Sequence, residues 1–374
     1  MATLFEETEI NGMQLQNRLV RSATWEGMCE DNGRPTEKLI DYYRELAKGG
    51  VGLIISGYTF IRPEGKQMIG KMGLYSDEFA AEFKNMTAAV HQVGGRIAIQ
   101  LVHAGGQTDS NNAGRTPLAP SAIKVDQFPE TPDELTVDDI KEIITAFGIA
   151  ARRAKEWGFD AVQFHGAHGY LINQFLSPHI NKRSDDYGGN IENRSRFLFE
   201  VYEKVRHEVG ADYPVLIKLT AADNLVGGLE NADTVFVAKK LSEMGIDAIE
   251  VSAGTSASGK EGPVRRAIKT PEKEAYNLML AQKIKEAVNC VVMVVGGFRS
   301  YEVSENAVSN QGMDYIAMSR PLIREPGLPN RWLQEERERA KCMSCNGCFI
   351  PGLKEGGIYC IVEKKERDKA AATG

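Results

Sequence analysis

The sequence lacks long apolar runs, a strong excess of one charge and any compositional bias toward disorder. Its longest apolar runs, such as Val291 to Val295, are too short to cross a bilayer. Lys and Arg (45) are interleaved with Asp and Glu (51), which leaves no basic face for a nucleic acid. The first ten residues have no basic segment and no apolar core, so we expect no secretory signal and a cytoplasmic chain. These absences favour a small-molecule partner.

Two common nucleotide-binding motifs are also missing. GTSASGKE at residues 254–261 nearly matches a phosphate loop, but Glu261 stands where a magnesium-binding hydroxyl is required. No GxGxxG segment follows a predicted strand. The sequence therefore excludes a P-loop ATPase and a Rossmann dinucleotide site.

Short β-branched runs alternate with helical patterns along the chain. The runs are continuously apolar, as expected for parallel strands covered by helices, and an α/β protein built as a single (β/α)8 TIM barrel accounts for their number. Helices are predicted after Ser76 and from Thr136, ending near Gly94 and Gly158. The predicted strands are Leu19–Ser22, Gly52–Ser56, Arg96–Leu101, Ala161–His165, Val215–Thr220, Ala248–Ser252, Val291–Val295 and Tyr315–Ser319.

The remaining segments have no strand–helix alternation. Residues 102–135 are polar and rich in proline, which predicts a loop over one barrel mouth. We assign residues 1–335 to the barrel and residues 336–374 to a cysteine-rich extension with a solvated, charged tail.

Polar residues cluster where the predicted strands end, which is where barrel active sites form. The glycines after strand seven and the Ser-Arg pair after strand eight predict a phosphate cradle, although a glycine turn beside a surface arginine would look the same. The cradle residues are Gly296, Gly297, Ser319 and Arg320.

Four cysteines follow the barrel as Cys342, Cys345, Cys348 and Cys360. In a reducing cytosol this spacing is typical of metal ligands. Three thiols within seven residues suit a 4Fe-4S cluster better than zinc, which more often uses two separated pairs. Zinc and free thiols stay open as alternatives.

Residues 165–197, HGAHGYLINQFLSPHINKRSDDYGGNIENRSRF, closely resemble the signature of the old yellow enzyme family. NRLVRSAT at 17–24, QLVHAGG at 100–106 and PLAPSA at 117–122 are similar to the same family. The resemblance is to the bacterial branch that includes 2,4-dienoyl-CoA reductase and trimethylamine dehydrogenase, which have a 4Fe-4S cluster after the barrel. It implies non-covalent FMN at the barrel mouth and reduction of an activated C=C bond, in a thioester or cyclic enone.

The resemblance also implies roles for individual residues. His165 and His168 would hold the substrate's carbonyl oxygen, and Tyr170 would donate a proton. The residues implied for FMN are Ser22, Ala23, Thr24 and Gly57 along the flavin, Gln100 and Lys218 at its pyrimidine edge, and Gly296, Gly297, Ser319 and Arg320 at the phosphate.

This sequence departs from the family at two positions near the flavin. Trp25 stands where many relatives have cysteine or threonine, and Gly27 stands where some have tyrosine. The flavin potential and the pocket shape are therefore expected to differ from those of the relatives.

The sequence leaves the electron donor open. Those relatives continue into an FAD and pyridine-nucleotide module, whereas fourteen residues follow Cys360 here, so we expect either a separate redox partner protein or a cluster that is a relic. The alternatives are a self-sufficient NAD(P)H-dependent ene-reductase, a non-catalytic flavin and iron-sulfur electron carrier, and a Schiff-base lyase using Lys218. The oligomeric state stays open, a homo-oligomer included.

Overall fold

The computed structural model describes residues 2–373, and parallel strands form its centre. In chain order the strands are β1 (Thr8–Ile10), β2 (Met13–Leu15), β3 (Leu19–Arg21), β4 (Leu53–Phe60), β5 (Met72–Gly73), β6 (Ile97–Val102), β7 (Leu118–Ala119), β8 (Asp133–Glu134), β9 (Ala161–Gly166), β10 (Val215–Thr220), β11 (Ala248–Ser252), β12 (Val291–Val295) and β13 (Tyr315–Met318).

Eight of these strands close into a parallel barrel, which confirms the predicted fold. The neighbours run β3, β4, β6, β9, β10, β11, β12 and β13, and β13 pairs with β3 through Ile316 and Leu19. The predicted bounds agree within one residue except in β4. A register shift between Ile55 and Tyr58 lets β4 keep pairing with β6 as far as Phe60, beyond the predicted end at Ser56.

Helices surround the barrel, and the two predicted from the sequence are present. Ser76 caps a short 3-10 turn that leads into the first of them, and Thr136 forms a capping box with Asp139 at the start of the second. The helices are α1 (Glu37–Lys48), α2 (Ala80–His91), α3 (Ser110–Ala113), α4 (Val137–Glu156), α5 (Leu171–Leu176), α6 (Ile191–Val209), α7 (Asn231–Met244), α8 (Leu278–Lys285), α9 (Tyr301–Ser309), α10 (Arg320–Arg324), α11 (Leu328–Leu333), α12 (Phe349–Lys354) and α13 (Ile361–Thr373).

Between residues 2 and 373, no helix has both the length and the apolar character that a membrane crossing needs. The cytoplasmic location expected from the sequence stays a prediction.

The β1–β2 hairpin covers the amino-terminal end of the barrel. Ile10, Met13 and Leu15 are buried and form one apolar cluster with inward-facing strand residues such as Val20 and Leu216. The cavity described below therefore opens at the carboxyl ends of the strands.

The segment between β6 and α4 is largely irregular, as expected. It contains the short helix α3 and a two-residue parallel pairing of β7 with β8. Gln107 and Phe128 from this segment line the cavity at the barrel mouth.

The cysteine-rich extension packs closely on the barrel. Ala340, Cys348 and Ile358 belong to the same apolar core as the barrel helices. The backbone N–H of Ile358 donates to the carbonyl of Glu26 at 2.8 Å. The charged tail expected after Cys360 forms the exposed helix α13.

Candidate active site at the barrel mouth

A cavity of about 310 Å³ lies at the carboxyl ends of the barrel strands. It brings together eleven of the thirteen catalytic and flavin residues predicted from the sequence, so that strand ends far apart in the chain share one space. These residues are Ser22, Ala23, Thr24, Gln100, His165, His168, Tyr170, Lys218, Gly297, Ser319 and Arg320.

Gly57 and Gly296 do not line this cavity. A Cβ at Gly57 would lie 2.6 Å from the carbonyl oxygen of Thr24, so this glycine lets the segment after β3 approach β4. Gly296 accepts a hydrogen bond from the backbone N–H of Tyr276 at 3.0 Å. Both positions support the cavity wall from behind, and direct flavin contact by either stays a prediction.

Three aromatic side chains meet at the end of β9. The ring of His165 lies edge-on to His168, with centroids 5.1 Å apart, and to Tyr170, with centroids 4.7 Å apart. His168 has a left-handed backbone with φ of 63°, and its N–H donates to Thr220 Oγ1 at 2.9 Å. This turn directs both imidazoles into the same cavity.

Burial keeps both histidines neutral. It lowers the pKa of His168 to about 3, with a smaller effect from the charge of Lys218. The pKa of His165 is also well below its usual value, because of burial first and then the charges of its neighbours. The backbone N–H of Ala167 donates to Nδ1 of His165 at 3.3 Å, so the neutral ring carries its proton on Nε2. His165 is therefore a hydrogen-bond donor at Nε2.

The Tyr170 hydroxyl is protonated and oriented. Burial raises its pKa above the ordinary value, and the hydroxyl donates to Gln67 Oε1 at 2.9 Å. The Tyr58 ring packs edge-on against Tyr170 with centroids 5.1 Å apart. The phenol is thus held beside His165 as a neutral acid.

A buried carboxylate, Glu250, organises the floor of the cavity. It accepts from Ser22 Oγ at 2.6 Å and from Gln163 Nε2 at 2.9 Å, and it forms an ion pair of 3.2 Å with Lys218 Nζ. Lys218 also donates to Ser22 at 2.9 Å, and Gln100 Nε2 donates to Gln163 Oε1 at 2.8 Å. One network thereby fixes the side chains expected at the flavin's pyrimidine edge.

Arg320 marks the opposite, cationic end of the cavity. Its Nη1 donates to the carbonyl of Arg265 at 2.9 Å and to Asn346 Oδ1 at 2.6 Å, and no other side-chain hydrogen bond of Arg320 occurs within residues 2–373. Ser319 accepts from the Thr24 hydroxyl at 2.6 Å. The remaining guanidinium donors are available to an anion such as phosphate.

The donor set fits the expected FMN. It offers amide, hydroxyl and ammonium groups at one end and a guanidinium at the other, which matches a polar ring edge joined to a phosphate. The indole Nε1 of Trp25 is buried without a hydrogen-bond partner in the described chain, as expected where a ligand completes the site.

Trp25 also joins the cavity to the extension. A Cβ at Gly352 would lie 3.0 Å from the Trp25 ring, so the backbone of α12 lies directly on the indole. Phe349, the residue after Cys348, lines the cavity itself. The extension therefore forms part of the cavity wall.

The four extension cysteines are free, and Cys342 and Cys348 are buried. Burial, with smaller contributions from the nearby thiols of Cys342 and Cys345, raises the pKa of Cys348 to about 12. Backbone N–H groups of Ser344 and Gly347 donate to the sulfurs of Cys342 and Cys345. In the part of the chain that the structure describes, however, no three or more Cys, His, Asp or Glu side chains group as a metal ion requires.

Several cavity residues were not predicted from the sequence. Tyr58 had a signal, because the apolar run of β4 continues past Gly57 to Phe60. The others lie on loops without periodicity, stand inside strands as single polar residues or, in the case of Phe349, begin the short helix α12, so no pattern marked them. Those that line the cavity include Gln67, Lys71, Gln107 and Phe349, while Gln163 and Glu250 lie next to it and bond to residues that line it.

The chain is similar to known flavin-linked oxidoreductases. The model of the NADH:flavin oxidoreductase / NADH oxidase family matches residues 3–339. An NADH oxidase from Thermoanaerobacter brockii is 37% identical over 352 residues, which are 92% of this chain and 53% of that protein. An NADPH dehydrogenase from Bacillus pumilus is 37% identical over 339 residues, 89% of this chain and 95% of that protein. The chain thus spans about half the length of the first of these relatives.

Solved structures give the same picture. A 2-naphthoyl-CoA reductase in complex with 2-naphthoyl-CoA superposes with a TM-score of 0.89 at 30% identity, covering 96% of this chain and 56% of that one. An old yellow enzyme homologue from Zymomonas mobilis superposes with a TM-score of 0.77 at 26% identity, covering 90% of this chain and 94% of that one.

We expect Glu250→Ala to destabilise the fold at neutral pH by about 3–5 kcal/mol, because it leaves the Lys218 ammonium buried without a counter-ion. Burial lowers the pKa of Lys218 in the folded chain below its ordinary value of 10.5. Below the folded pKa the buried charge reduces the free energy of unfolding in full, and this reduction fades as the pH rises toward 10.5, because the folded chain has then released the proton. Free energies of unfolding from urea titrations at about pH 7 and pH 10 should therefore show a loss that shrinks with pH.

The matched control is Glu243→Ala, which removes an exposed carboxylate and should change the stability by less than about 0.5 kcal/mol. An equal loss for Glu250→Ala at both pH values would contradict the ion-pair explanation.

Proposed function

Since this chain belongs to the NADH:flavin oxidoreductase / NADH oxidase family, we propose that it is an FMN-dependent oxidoreductase that reduces a carbonyl-activated C=C bond. Membership confirms the family expected from the sequence of residues 165–197. The narrower resemblance to 2,4-dienoyl-CoA reductase and trimethylamine dehydrogenase stays a prediction.

One observation carries the proposal. His165, His168 and Tyr170 meet in the same cavity that holds Lys218 at one end and Arg320 at the other. The two neutral imidazoles supply hydrogen-bond donors, and the phenol supplies a proton. None of the three is placed as a nucleophile. Lys218 is committed to Glu250 and Ser22, which argues against the Schiff-base alternative.

The proposed chemistry assigns each group one task. Bound FMN would supply a hydride to the β-carbon of the substrate. His165 and His168 would hold the carbonyl oxygen, where negative charge develops. Tyr170 would then donate its proton to the α-carbon, so that one hydride and one proton convert C=C to CH–CH. Gln67, which accepts from the Tyr170 hydroxyl, would orient that proton.

We propose that Ser22, Gln100 and Lys218 bind the pyrimidine edge of FMN, and that Thr24, Ser319 and Arg320 bind toward its phosphate. The support is the network that fixes the first group and the uncommitted donors of Arg320. A cation beside the ring edge would stabilise a reduced, anionic flavin. Ala23, Gly57, Gly296 and Gly297 complete the proposed site.

We further propose that Cys342, Cys345, Cys348 and Cys360 hold a 4Fe-4S cluster fed by a redox partner protein. The support is their spacing, the N–H groups directed at two of the sulfurs and the contact of α12 with Trp25. Zinc and free thiols are the competing states.

A nicotinamide donor is the second candidate, favoured by the names of the relatives, an NADH oxidase and an NADPH dehydrogenase. Anaerobic mixing of the FMN-loaded protein with NADH and with NADPH separates the two. Rapid flavin bleaching supports a self-sufficient enzyme, whereas no bleaching supports a separate carrier. A protein that exchanges electrons but reduces no enone would instead be an electron carrier.

Tyr170→Phe should slow the oxidation of reduced enzyme by an enone by roughly 10²- to 10⁴-fold, because the general acid is lost while the ring still packs. Stopped-flow absorbance of dithionite-reduced protein mixed with cyclohex-2-enone measures this step. FMN content serves as the control and should not change. An unchanged rate would mean that another group supplies the proton.

Arg320→Ala should weaken FMN binding by about tenfold or more, because a charge-assisted phosphate contact is lost. Titration of the apoprotein with FMN measures the affinity. Arg324→Ala is the matched control on α10, since Arg324 pairs with Glu366 on α13 and should not affect FMN. Equal affinities for the wild type and Arg320→Ala would refute the phosphate assignment.

Cys345→Ser should abolish iron binding and spare FMN, because serine lacks the soft thiolate that iron prefers. Iron, sulfide and zinc analysis of anaerobically purified protein tests this, with about four iron and four sulfide per chain expected for the wild type. Cys290→Ser, which alters a cysteine outside the extension, is the control. Stoichiometric zinc without sulfide in the wild type would rule out the cluster.

A further inference from the structure

Lys71 is a buried cation in the cavity to which the proposed mechanism gives no task. It is 4% exposed and lies just before β5, and its side chain lines the cavity. Its Nζ lies 3.9 Å from the centroid of the Tyr58 ring and 5.8 Å from that of Tyr170. Lys71 therefore lies beside the proposed proton donor.

No carboxylate of residues 2–373 comes within ion-pair distance of Lys71, and its side chain makes no hydrogen bond within that part of the chain. Two other buried cations at this end of the barrel are paired, Lys218 with Glu250 and Arg21 with Glu26 at 2.7 Å. The charge of Glu26 raises the pKa of Lys71, against the larger effect of burial. Glu26 is already bonded to Arg21 and to the Tyr43 hydroxyl. A buried ammonium with only a ring face as partner remains poorly solvated.

The position of Lys71 separates it from the proposed flavin contacts. Its neighbours are Tyr58, Tyr170 and His165, whose pKa its charge lowers, and all three lie on β4 or at the end of β9. The flavin-edge groups belong instead to the Glu250 network. The unpaired ammonium therefore lies beside Tyr170, at the end of the cavity where the substrate's α-carbon would be protonated.

We propose that Lys71 binds a carboxylate of the substrate, so that the preferred substrates are activated alkenes with a carboxylate near the C=C bond in addition to the carbonyl group. This inference rests on the proposed function. A substrate carboxylate would form a charge-assisted hydrogen bond with the desolvated ammonium. This contact would also orient the alkene toward Tyr170. A neutral enone would leave the ammonium unpaired.

The test compares two probes, cyclohex-2-enone and its analogue with a carboxylate on the β-carbon. We expect the wild type to favour the carboxylate probe in kcat/KM by about tenfold or more, mainly through KM. In Lys71→Met the two probes should have similar kcat/KM values, whereas Lys71→Arg should keep the preference for the carboxylate probe. Lys66→Met is the matched control from the same loop, since Lys66 pairs with Asp31 and does not line the cavity.

The pH dependence of the ratio gives a readout that a structural role would not produce. Burial lowers the pKa of Lys71 to about 7, so the wild-type preference should fall as the pH rises through that value and the ammonium is lost. The groups facing Lys71 are His165, whose pKa lies well below this range, Tyr58 and Tyr170, whose pKa values lie above it, and the Glu26 carboxylate. In Lys71→Arg the ratio should not vary with pH, because the guanidinium does not titrate.

Binding of the saturated ketones cyclohexanone and 3-oxocyclohexanecarboxylate to the FMN-loaded protein, measured by calorimetry, tests the inference without turnover. If the enzyme reduces the neutral enone, and the wild type and Lys71→Met show the same carboxylate preference, the role of Lys71 is overturned while the proposed function stands. Failure to reduce either enone would overturn the proposed function, and the binding preference would then still decide whether Lys71 recognises a carboxylate.

Discussion

A single buried carboxylate fixes the geometry of this barrel mouth. Glu250 is fully buried and is bonded to the side chains of Ser22 after β3, Gln163 on β9 and Lys218 on β10. Its charge is tolerated only because an ammonium and two neutral donors satisfy it, and the ammonium is tolerated for the same reason. Through Gln163 the network reaches Gln100 on β6. The strands could still pair without Glu250, but the polar side chains at the cavity floor would lose the hydrogen bonds that fix their positions relative to one another.

The fold could be predicted because its signals are local. Each barrel strand is a mainly apolar run, and caps such as Thr136 and stops such as Gly158 are short-range patterns. The strand ends then followed from barrel topology, which brought His165 and Arg320 into one cavity although they are distant in sequence. The extra length of β4 could not be predicted so readily, since a register shift at its middle breaks the alternation of residues facing inward and outward.

The rest of the site depends on contacts that have no sequence signature. Glu250 looks like an isolated charge within an apolar strand, and only the closed barrel shows that it meets Lys218. Lys71 lies on a loop whose position depends on Gly70 packing against Gly27. The extension was predicted from cysteine spacing alone. Its placement of Phe349 and Gly352 at the cavity wall could not be predicted, because it is set by tertiary packing on Trp25.

Barrel closure has a consequence for synthesis on the ribosome. Ile316 of β13 pairs with Leu19 of β3, so one edge of β3 stays open until the ribosome has made β13. Contacts of such large sequence separation form slowly and leave apolar surface exposed in the nascent protein. Because the cavity wall runs from Ser22 to Phe349, the cavity is incomplete until Phe349 has been made. Cofactor uptake would therefore follow the synthesis of Phe349, and the open β3 edge of the nascent chain would be a site for misassociation.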